Sequence, residues 1–320
     1  MTFVRLNNNI EMPVLGLGTW LTSDKNLKSA INWALEIGYR HIDTATLYDN
    51  EKTIGDVLKE WINSGKIQRQ ELFVTTKLPP AGNYPERMEK YILQSLKDLQ
   101  LEYVDLYLIH SPEGIKNSPP PNNNTKEVEM DKNVDISALW KKMEEQVLLG
   151  RAKSIGISNF NIPQINEVLS NAVIKPACLQ TELNVYVQQQ NVVNFCKEHD
   201  ITLIGYCPLG SPGINAFYSE YGITKSIPKL LDDPIVHEIA IKYSKTPAQI
   251  ALRFLVQQNI AAIPKSSNLN RIKENFQIFD FTLDQNDLQL LKGLDKGESA
   301  RLGDWESWTW LEEEGTIKSS

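Results

Sequence analysis

The chain has 320 residues, of which 41% are hydrophobic, 23% charged and 8% aromatic, and this composition is typical of a globular protein with a large core. Its 33 basic and 40 acidic residues give a formal net charge of −7, without a long basic run, so neither nucleic acid nor an anionic membrane is an expected partner. The N-terminal stretch lacks the apolar run of a signal peptide, and no segment approaches the ~18 consecutive apolar residues of a membrane span. The 3 cysteines are widely spaced and form no CxxC pattern. We expect a cytoplasmic protein with reduced thiols and no bound metal, acting as a monomer.

After a short N-terminal hairpin, apolar strand-like runs alternate with amphipathic helical patterns along the chain. The predicted strands cover residues 14–18, 39–43, 72–77, 104–110, 152–158, 177–182, 202–207 and 260–264. Helical patterns follow them, beginning with NLKSAINWALEIG and EKTIGDVLKEWI and ending with NLNRIKENFQIF. Continuous apolar strands between helices are typical of a buried parallel sheet, and eight such repeats predict a closed (β/α)8 TIM barrel. This α/β fold would form a single domain over residues 1–320.

A doubly wound open sheet is the main alternative to a barrel. Such sheets generally bind dinucleotides through a GxGxxG loop, and neither that pattern nor GxxxxGK[ST] occurs in the chain. Two long loops rich in Pro, Gly and Asn follow the predicted fourth and seventh strands, at the strand ends where barrel enzymes bind substrates. A C-terminal tail contains Trp305, Trp308 and Trp310, and we expect it to dock over the barrel mouth, with packing on the barrel exterior as the alternative.

Four reactive side chains lie at or just beyond the ends of three consecutive predicted strands: Asp43, Tyr48, Lys77 and His110. Each has an ordinary structural explanation, because an aspartate can cap a helix, a histidine or tyrosine can be buried, and a lysine can be solvated. Asp49 and Asn50 are themselves suitable N-cap residues for the helix that begins EKTIG. The C-terminal ends of barrel strands converge on one mouth, however, so we expect the four reactive side chains to share a site.

Nine short motifs follow one another along the chain: GLGTW, HIDTATLYDNE, TTK, LIH, IGISNF, LQTELN, YCPLGSP, IPKS and NRIKEN. Together they resemble the aldo-keto reductase family, and the likeness covers nearly the whole chain. The resemblance implies a (β/α)8 barrel that reduces aldehydes and ketones with NADPH. It also accounts for the missing GxGxxG pattern, because this family binds its cofactor without a Rossmann fold.

The resemblance implies that Asp43, Tyr48, Lys77 and His110 form a catalytic tetrad. Carbonyl reduction requires a hydride on carbon and a proton on the developing alkoxide. A phenol with a pKa near 10 donates poorly at neutral pH unless its anion is stabilised, and a Lys77 ammonium held by Asp43 would stabilise it. His110 would hydrogen-bond the carbonyl oxygen as negative charge grows. In this interpretation Tyr48 is the proton donor.

The same resemblance implies a set of contacts to NADPH or NADP+. IGISNF and LQTELN provide the residues that would bind the nicotinamide carboxamide, and Tyr206 matches the ring that stacks on the nicotinamide. Lys265 and Arg271 flank a predicted helix start, which suits the adenosine 2′-phosphate by charge and by dipole. The expected cofactor residues are Gly18, Thr19, Trp20, Asp43, Ser158, Asn159, Gln180, Tyr206, Cys207, Leu209, Lys265, Ser266, Asn268, Arg271, Glu274 and Asn275. An amphipathic helix with a solvated face is the alternative interpretation of NLNRIKEN.

Departures from the family pattern bear on the substrate. Ser111 follows the histidine where many members have tryptophan, so we expect a wider mouth, and Cys207 stands where serine is common, so one cofactor hydrogen bond should differ. KLPPAGN resembles the insect branch of the family, which includes dehydroecdysone reductases, and this makes steroid metabolism a candidate role beside reduction of small aldehydes. The expected substrate-binding residues are Trp20, Tyr48, His110, Ser111 and Trp305. A non-catalytic role, as in channel-associated or crystallin relatives, is the alternative, and the intact tetrad argues against it.

Overall fold

The polypeptide alternates between strands and helices, and the computed structural model describes residues 2–116, 129–220, 225 and 227–302. The strands in these ranges are β1 (Phe3–Arg5), β2 (Glu11–Pro13), β3 (Leu17–Gly18), β4 (His41–Asp43), β5 (Phe73–Leu78), β6 (Val104–Ile109), β7 (Gly114–Ile115), β8 (Met130–Asp131), β9 (Ala152–Ser158), β10 (Cys178–Glu182), β11 (Thr202–Tyr206) and β12 (Ala261–Ala262). The helices are α1 (Asp24–Ile37), α2 (Glu51–Asn63), α3 (Pro85–Leu99), α4 (Ile136–Leu148), α5 (Ile162–Asn171), α6 (Gln190–Glu198), α7 (Ile214–Glu220), α8 (Pro234–Tyr243), α9 (Pro247–Val256), α10 (Leu269–Phe276) and α11 (Gln285–Lys292).

The centre of the fold is a sheet of eight parallel strands in the order β12-β11-β10-β9-β6-β5-β4-β3. Parallel bridges pair Leu15 with Ala262 and Gly18 with Lys265, so the first and last strands also meet and the sheet closes. Gly18 permits this close approach, because a Cβ there would lie 2.6 Å from the carbonyl oxygen of Ile263. The predicted (β/α)8 barrel is confirmed.

The strands are buried on both faces, which explains their continuous apolar sequences. Every residue of β5 and of β6 is buried. Inside the barrel, Phe73 and Leu106 pack with Leu6 and Met12 of the N-terminal hairpin. That hairpin, β1 with β2, also bonds the chain near the start of β9, where the side-chain amide of Asn8 donates to the carbonyl of Lys153 at 3.1 Å. The hairpin therefore covers the end of the barrel opposite the strand C-termini.

Three of the α-helices in the described ranges lie outside the predicted set. α7 falls within the second long loop, and α8 and α11 lie in segments without a predicted element. Both of the latter begin with a capping aspartate: Asp233 accepts a hydrogen bond from the backbone of Ile235 at 2.9 Å, and Asp284 accepts one from Asp287 at 2.9 Å. These are ordinary N-cap signals. The first long loop also contains a hairpin, in which β7 pairs with β8.

Part of each region expected to shape the mouth lies outside the described residues. This applies to residues 117–128 of the first long loop, to residues 221–224 and 226 of the second, and to residues 303–320, which include Trp305, Trp308 and Trp310. Docking of the tryptophan tail therefore stays a prediction. Of the described helices, none is long and apolar enough to cross a membrane.

Candidate active site

The four predicted catalytic residues converge at the C-terminal ends of three neighbouring strands. Asp43 is the last residue of β4, Lys77 lies one residue before the end of β5, and His110 directly follows β6. Tyr48 ends a 3-10 turn, Thr46–Tyr48, that connects β4 to α2. Because β4, β5 and β6 pair in parallel, they deliver these side chains to the same end of the barrel.

The Lys77 ammonium group is the centre of this cluster. Its Nζ donates to Asp43 Oδ1 at 2.6 Å and to the Thr44 carbonyl at 2.7 Å, and it lies 3.3 Å from the Tyr48 hydroxyl oxygen. The Lys77 side chain has no solvent exposure, and that of Asp43 is 2% exposed. All three N–H bonds of the ammonium group are therefore used inside the protein, and one of them is directed at the phenol.

The electrostatics of the cluster follow from burial and from this one ion pair. Burial lowers the pKa of Lys77, and the neighbouring Asp43 charge opposes that shift. Burial, followed by the charge of Asp43, raises the pKa of Tyr48 well above its usual value, so the phenol is protonated at neutral pH. Burial and then the Lys77 charge lower the pKa of His110 well below its usual range, so the imidazole is neutral at pH 7. A protonated phenol and a neutral imidazole thus stand beside a buried ammonium group.

The His110 ring faces the ring of Tyr48. The rings of Tyr48 and His110 are 5.7 Å apart between centroids and meet edge to face, at 77°. The side-chain amide of Asn159 donates to the His110 carbonyl at 2.9 Å and so holds the backbone at the end of β6. Both groups that could contact a carbonyl oxygen are therefore fixed by the protein.

Asn50 has a different role from the N-cap predicted for it. It occupies the N-cap position of α2, but its side chain makes no capping hydrogen bond. Instead, Thr44 Oγ1 donates to Asn50 Oδ1 at 2.6 Å, and Asn50 Nδ2 donates to the Thr19 carbonyl at 3.1 Å. Since the Thr44 carbonyl accepts from Lys77, Asn50 braces the backbone beside the ammonium group. The preference of asparagine for N-cap positions is a local sequence signal, so it could not reveal that Asn50 bonds Thr44 and Thr19.

Several residues expected to bind the nicotinamide join the tetrad directly. Gln180 Nε2 donates to Asp43 Oδ2 at 2.7 Å, so both carboxylate oxygens of Asp43 are occupied. The Tyr206 hydroxyl donates to Asn159 Oδ1 at 2.9 Å, and the Asn159 amide lies 3.3 Å from Ser158 Oγ. These side chains line the strand ends next to the cluster, from β9 to β11.

A second polar group lies at the start of α10, where the phosphate contacts were expected. Lys265 and Arg271 are exposed, and desolvation followed by the Arg271 charge lowers the pKa of Lys265. Within the described residues neither cation forms an ion pair. Two neighbouring cations that lack a carboxylate partner, placed at a helix N-terminus, suit an anionic ligand.

The other residues expected around α10 have partners within the protein. Asn268 Oδ1 accepts from the backbone N–H of Arg271 at 3.0 Å and caps the helix, and Ser266 Oγ accepts from the backbone of Asn268 at 3.2 Å. The Glu274 carboxylate accepts from Thr246 Oγ1 at 2.7 Å, and Asn275 is buried. Both the cofactor assignment and the alternative of an amphipathic helix are therefore compatible with Glu274 and Asn275.

The remaining expected site residues surround the mouth. Thr19 Oγ1 donates to the Asp43 carbonyl at 2.9 Å, directly after Gly18. Trp20 meets Phe217 of α7 edge to face, with ring centroids 5.7 Å apart. Cys207 Sγ lies 3.8 Å from Ser211 Oγ, and Leu209 packs against the main core. Trp305 lies outside the described residues.

Ser111 does not lie at an open edge of the mouth. Ser111 is fully buried, and its backbone carbonyl accepts a hydrogen bond from the side-chain amide of Asn83 at 2.7 Å. The small side chain at this position is therefore enclosed by the chain around it. Its effect on the width of the mouth stays a prediction.

A closed barrel that gathers a phenol, an ammonium group, a carboxylate and an imidazole at the C-terminal ends of its strands defines a barrel enzyme with an acid–base site. Residues 14–296 match the sequence profile described as the Aldo/keto reductase family. The chain belongs to that family and is an oxidoreductase that reduces aldehydes and ketones.

Known proteins of this family resemble the chain over most of its length. Aldo-keto reductase family 1 member A1 of Xenopus tropicalis is 41% identical over 289 residues, which cover 89% of this chain and 86% of that protein. The mouse protein of the same name, from Mus musculus, is also 41% identical, over 92% of this chain and 89% of its own. Among solved structures, the aldose reductase of Schistosoma japonicum superposes with a TM-score of 0.86 at 36% identity and covers 100% of both chains.

Replacing Asp43 by Asn tests the buried ion pair. The change keeps the shape of the side chain but leaves the Lys77 charge buried without its counter-charge, and breaking such a pair typically costs about 3–5 kcal/mol of unfolding free energy. In the variant, Lys77 should have a folded-state pKa further below its unfolded value, so the variant should become more stable as pH rises towards that unfolded value. Urea denaturation from neutral to alkaline pH measures both effects.

The matched control is Asp280→Asn, which removes the carboxylate of a surface pair with Lys245 at 2.6 Å; the Asp280 side chain is 64% exposed. Little change is expected there, because water screens the pair. Equal stability losses for both variants would contradict the assigned role of the Lys77–Asp43 pair.

Proposed function

We propose that this protein reduces aldehydes and ketones with NADPH, and that Tyr48 donates the proton. The observation that carries the proposal is the 3.3 Å contact between Lys77 Nζ and the Tyr48 hydroxyl, made while the same nitrogen is held by Asp43 at 2.6 Å. The phenol is protonated before reaction because burial raises its pKa. As the proton leaves for the developing alkoxide, the phenolate forms next to a positive charge, and this favours transfer.

His110 would orient the carbonyl group. Its neutral ring can donate one hydrogen bond, and its position opposite Tyr48 allows both side chains to reach one oxygen atom. Asn159 fixes the His110 backbone, and Gln180 fixes the second oxygen of Asp43. Preorganised donors of this kind stabilise the transition state without having to reorient during the reaction.

The described residues fit a nicotinamide dinucleotide with a 2′-phosphate. Lys265 and Arg271 offer two cations that no described carboxylate neutralises, beside the N-terminus of α10. Tyr206, Asn159 and Ser158 provide an aromatic face and amide or hydroxyl groups next to the tetrad. When bound, NADPH would supply the hydride, and the protein would orient its ring and its phosphate.

The substrate proposal includes small aldehydes and bulky, steroid-like ketones such as ecdysteroids. Small aldehydes are supported by the likeness to an aldose reductase, and bulky ketones by the resemblance of the KLPPAGN segment and by the wider mouth predicted from Ser111. A screen of NADPH oxidation with small aldehydes, sugars, steroids and ecdysteroids decides between these classes.

Tyr48→Phe is expected to abolish reduction while NADPH still binds. The change removes only the hydroxyl group, and proton transfer typically contributes 10²–10⁴-fold to the rate, so kcat should fall by about 10² or more. Steady-state NADPH oxidation gives kcat, and quenching of tryptophan fluorescence gives cofactor affinity.

Tyr103→Phe is the control for this change, because Tyr103 precedes β6 and lies at the other end of that strand from His110. It should retain the wild-type kcat. A Tyr48→Phe enzyme with a near-normal kcat would mean that another group is the acid.

Arg271→Ala is expected to weaken NADPH binding and to leave NADH binding nearly unchanged. A charge-assisted contact to the 2′-phosphate is worth about 1.5–3 kcal/mol, which corresponds to roughly a 10- to 100-fold change in Kd. Lys273→Ala, on an exposed position of the same helix, is the control and should alter neither affinity. A parallel loss for both cofactors in Arg271→Ala would refute the phosphate site.

A further inference from the structure

Glu51, the first residue of α2, carries a buried carboxylate outside the tetrad. The residue is 5% exposed, although an acidic residue in the first turn of a helix is commonly solvated. Among the described residues it forms no ion pair within 4.0 Å. Thr76 Oγ1 donates to its Oε1 at 2.6 Å, and Ser95 Oγ donates to its Oε2 at 3.0 Å. A buried carboxylate is costly unless such bonds satisfy it, so its location calls for a reason.

The two hydroxyl groups that donate to Glu51 connect it to the segments that carry Lys77 and Tyr48. Thr76 directly precedes Lys77 in β5. Ser95 Oγ lies 3.1 Å from Thr46 Oγ1, and Thr46 begins the turn that ends at Tyr48. One carboxylate therefore reaches, through two hydroxyl groups, the strand that presents the ammonium and the turn that presents the phenol.

The directions of these hydrogen bonds depend on the charge of Glu51. While the carboxylate is ionised, Thr76 and Ser95 both donate to it, so Ser95 Oγ can only accept from Thr46. The single proton of the Thr46 hydroxyl then goes either to Ser95 Oγ or to the Lys77 carbonyl, each at 3.1 Å. A protonated Glu51, or a glutamine in its place, would instead donate a hydrogen bond to Thr76 or Ser95. That hydroxyl group would then have to donate its own proton to a different acceptor. The ionised form thus fixes the directions of the Thr76 and Ser95 hydrogen bonds.

Charged and titratable groups face Glu51 from each neighbouring element. Burial raises the pKa of Glu51 to about 6; the hydrogen bonds from Thr76 and Ser95 oppose the shift, Asp98 on α3 adds to it, and Lys77 on β5 opposes it. The Glu51 charge also opposes the lowering of the Lys77 pKa by burial, after the larger contribution of Asp43. Burial and then the Glu51 charge raise the pKa of Tyr107 on β6. At neutral pH, Glu51 is therefore a second negative charge, beside that of Asp43, that acts on Lys77.

We propose that Glu51 is a positioning residue for carbonyl reduction. Its carboxylate holds the Lys77 strand and the Tyr48 turn at their mutual distance, and its charge helps keep Lys77 protonated. The inference rests on the proposed role of Tyr48 as the proton donor.

The test is the pH profile of kcat/KM for reduction in Glu51→Gln. Reduction needs a protonated Tyr48 and a charged Lys77. Removing a nearby negative charge makes both groups lose their protons at lower pH, so the alkaline limb should move to lower pH whichever group limits it. The expected shift is on the order of one pH unit. The disturbed hydrogen bonds should also lower kcat, by roughly 10-fold, while KM for NADPH changes little.

Two further variants separate charge from geometry. Glu51→Asp keeps the charge but shortens the side chain, so kcat should fall with the alkaline limb in its wild-type place. Ser95→Ala keeps Glu51 but removes the hydroxyl that donates to its Oε2 and contacts Thr46 of the Tyr48 turn, and it should behave in the same way. If Glu51→Gln does not fold, as judged by circular dichroism, these two variants still measure the geometric part, and unchanged kcat in both would overturn the proposal.

Glu144→Gln is the matched control. Glu144 is also buried, and it accepts the backbone N–H groups of Val173 and Ile174 at 2.7 Å, before the start of β10 and away from the mouth. It should cost stability without moving the alkaline limb, and an equal shift there would overturn the proposal. An active wild type with an unchanged Glu51→Gln profile would overturn this inference alone, whereas a wild type without NADPH-dependent reduction would overturn the proposed function as well.

Discussion

The site depends on one buried ammonium group. Lys77 reaches the mouth from inside a strand without solvent exposure, and its charge is tolerated only because Asp43 and the Thr44 carbonyl accept two of its three hydrogen bonds. The third bond is directed at Tyr48. The Lys77 ammonium is thus neutralised by Asp43 and still lies next to the Tyr48 hydroxyl, where a phenolate would form. Together with the larger effect of burial, the same charge lowers the pKa of His110 and keeps its imidazole neutral.

The surrounding residues make sense as supports for that group. Asp43 cannot turn away, because its second oxygen is held by Gln180 and its backbone carbonyl by Thr19. Asn50 and Glu51, adjacent in sequence, brace different sides of the site. Asn50 holds the backbone around Thr44, and Glu51 holds the hydroxyl groups of β5 and α3. The closed barrel makes these contacts possible, because it brings the ends of separate strands to one mouth.

Much of this arrangement could be predicted from the sequence, because its signals are local. Eight apolar runs separated by helical patterns predict the barrel, and reactive residues at the strand ends predict the tetrad. The capping signals of Asp233 and Asp284 could have located α8 and α11 as well. The role of Asn50 could not be predicted, because a local preference for N-caps competes with tertiary partners that the sequence does not reveal. Burial of the Glu51 carboxylate depends likewise on Ser95, which is 44 residues away.

The central claim is that the Lys77 charge makes Tyr48 a better acid. It is tested most directly at neutral pH, where Lys77 is charged, by kcat for reduction and its solvent deuterium isotope effect in the wild type and in Lys77→Met. The account predicts a lower kcat and a larger isotope effect in Lys77→Met, because the phenolate then forms without a neighbouring ammonium group. An unchanged kcat and isotope effect in Lys77→Met would contradict it.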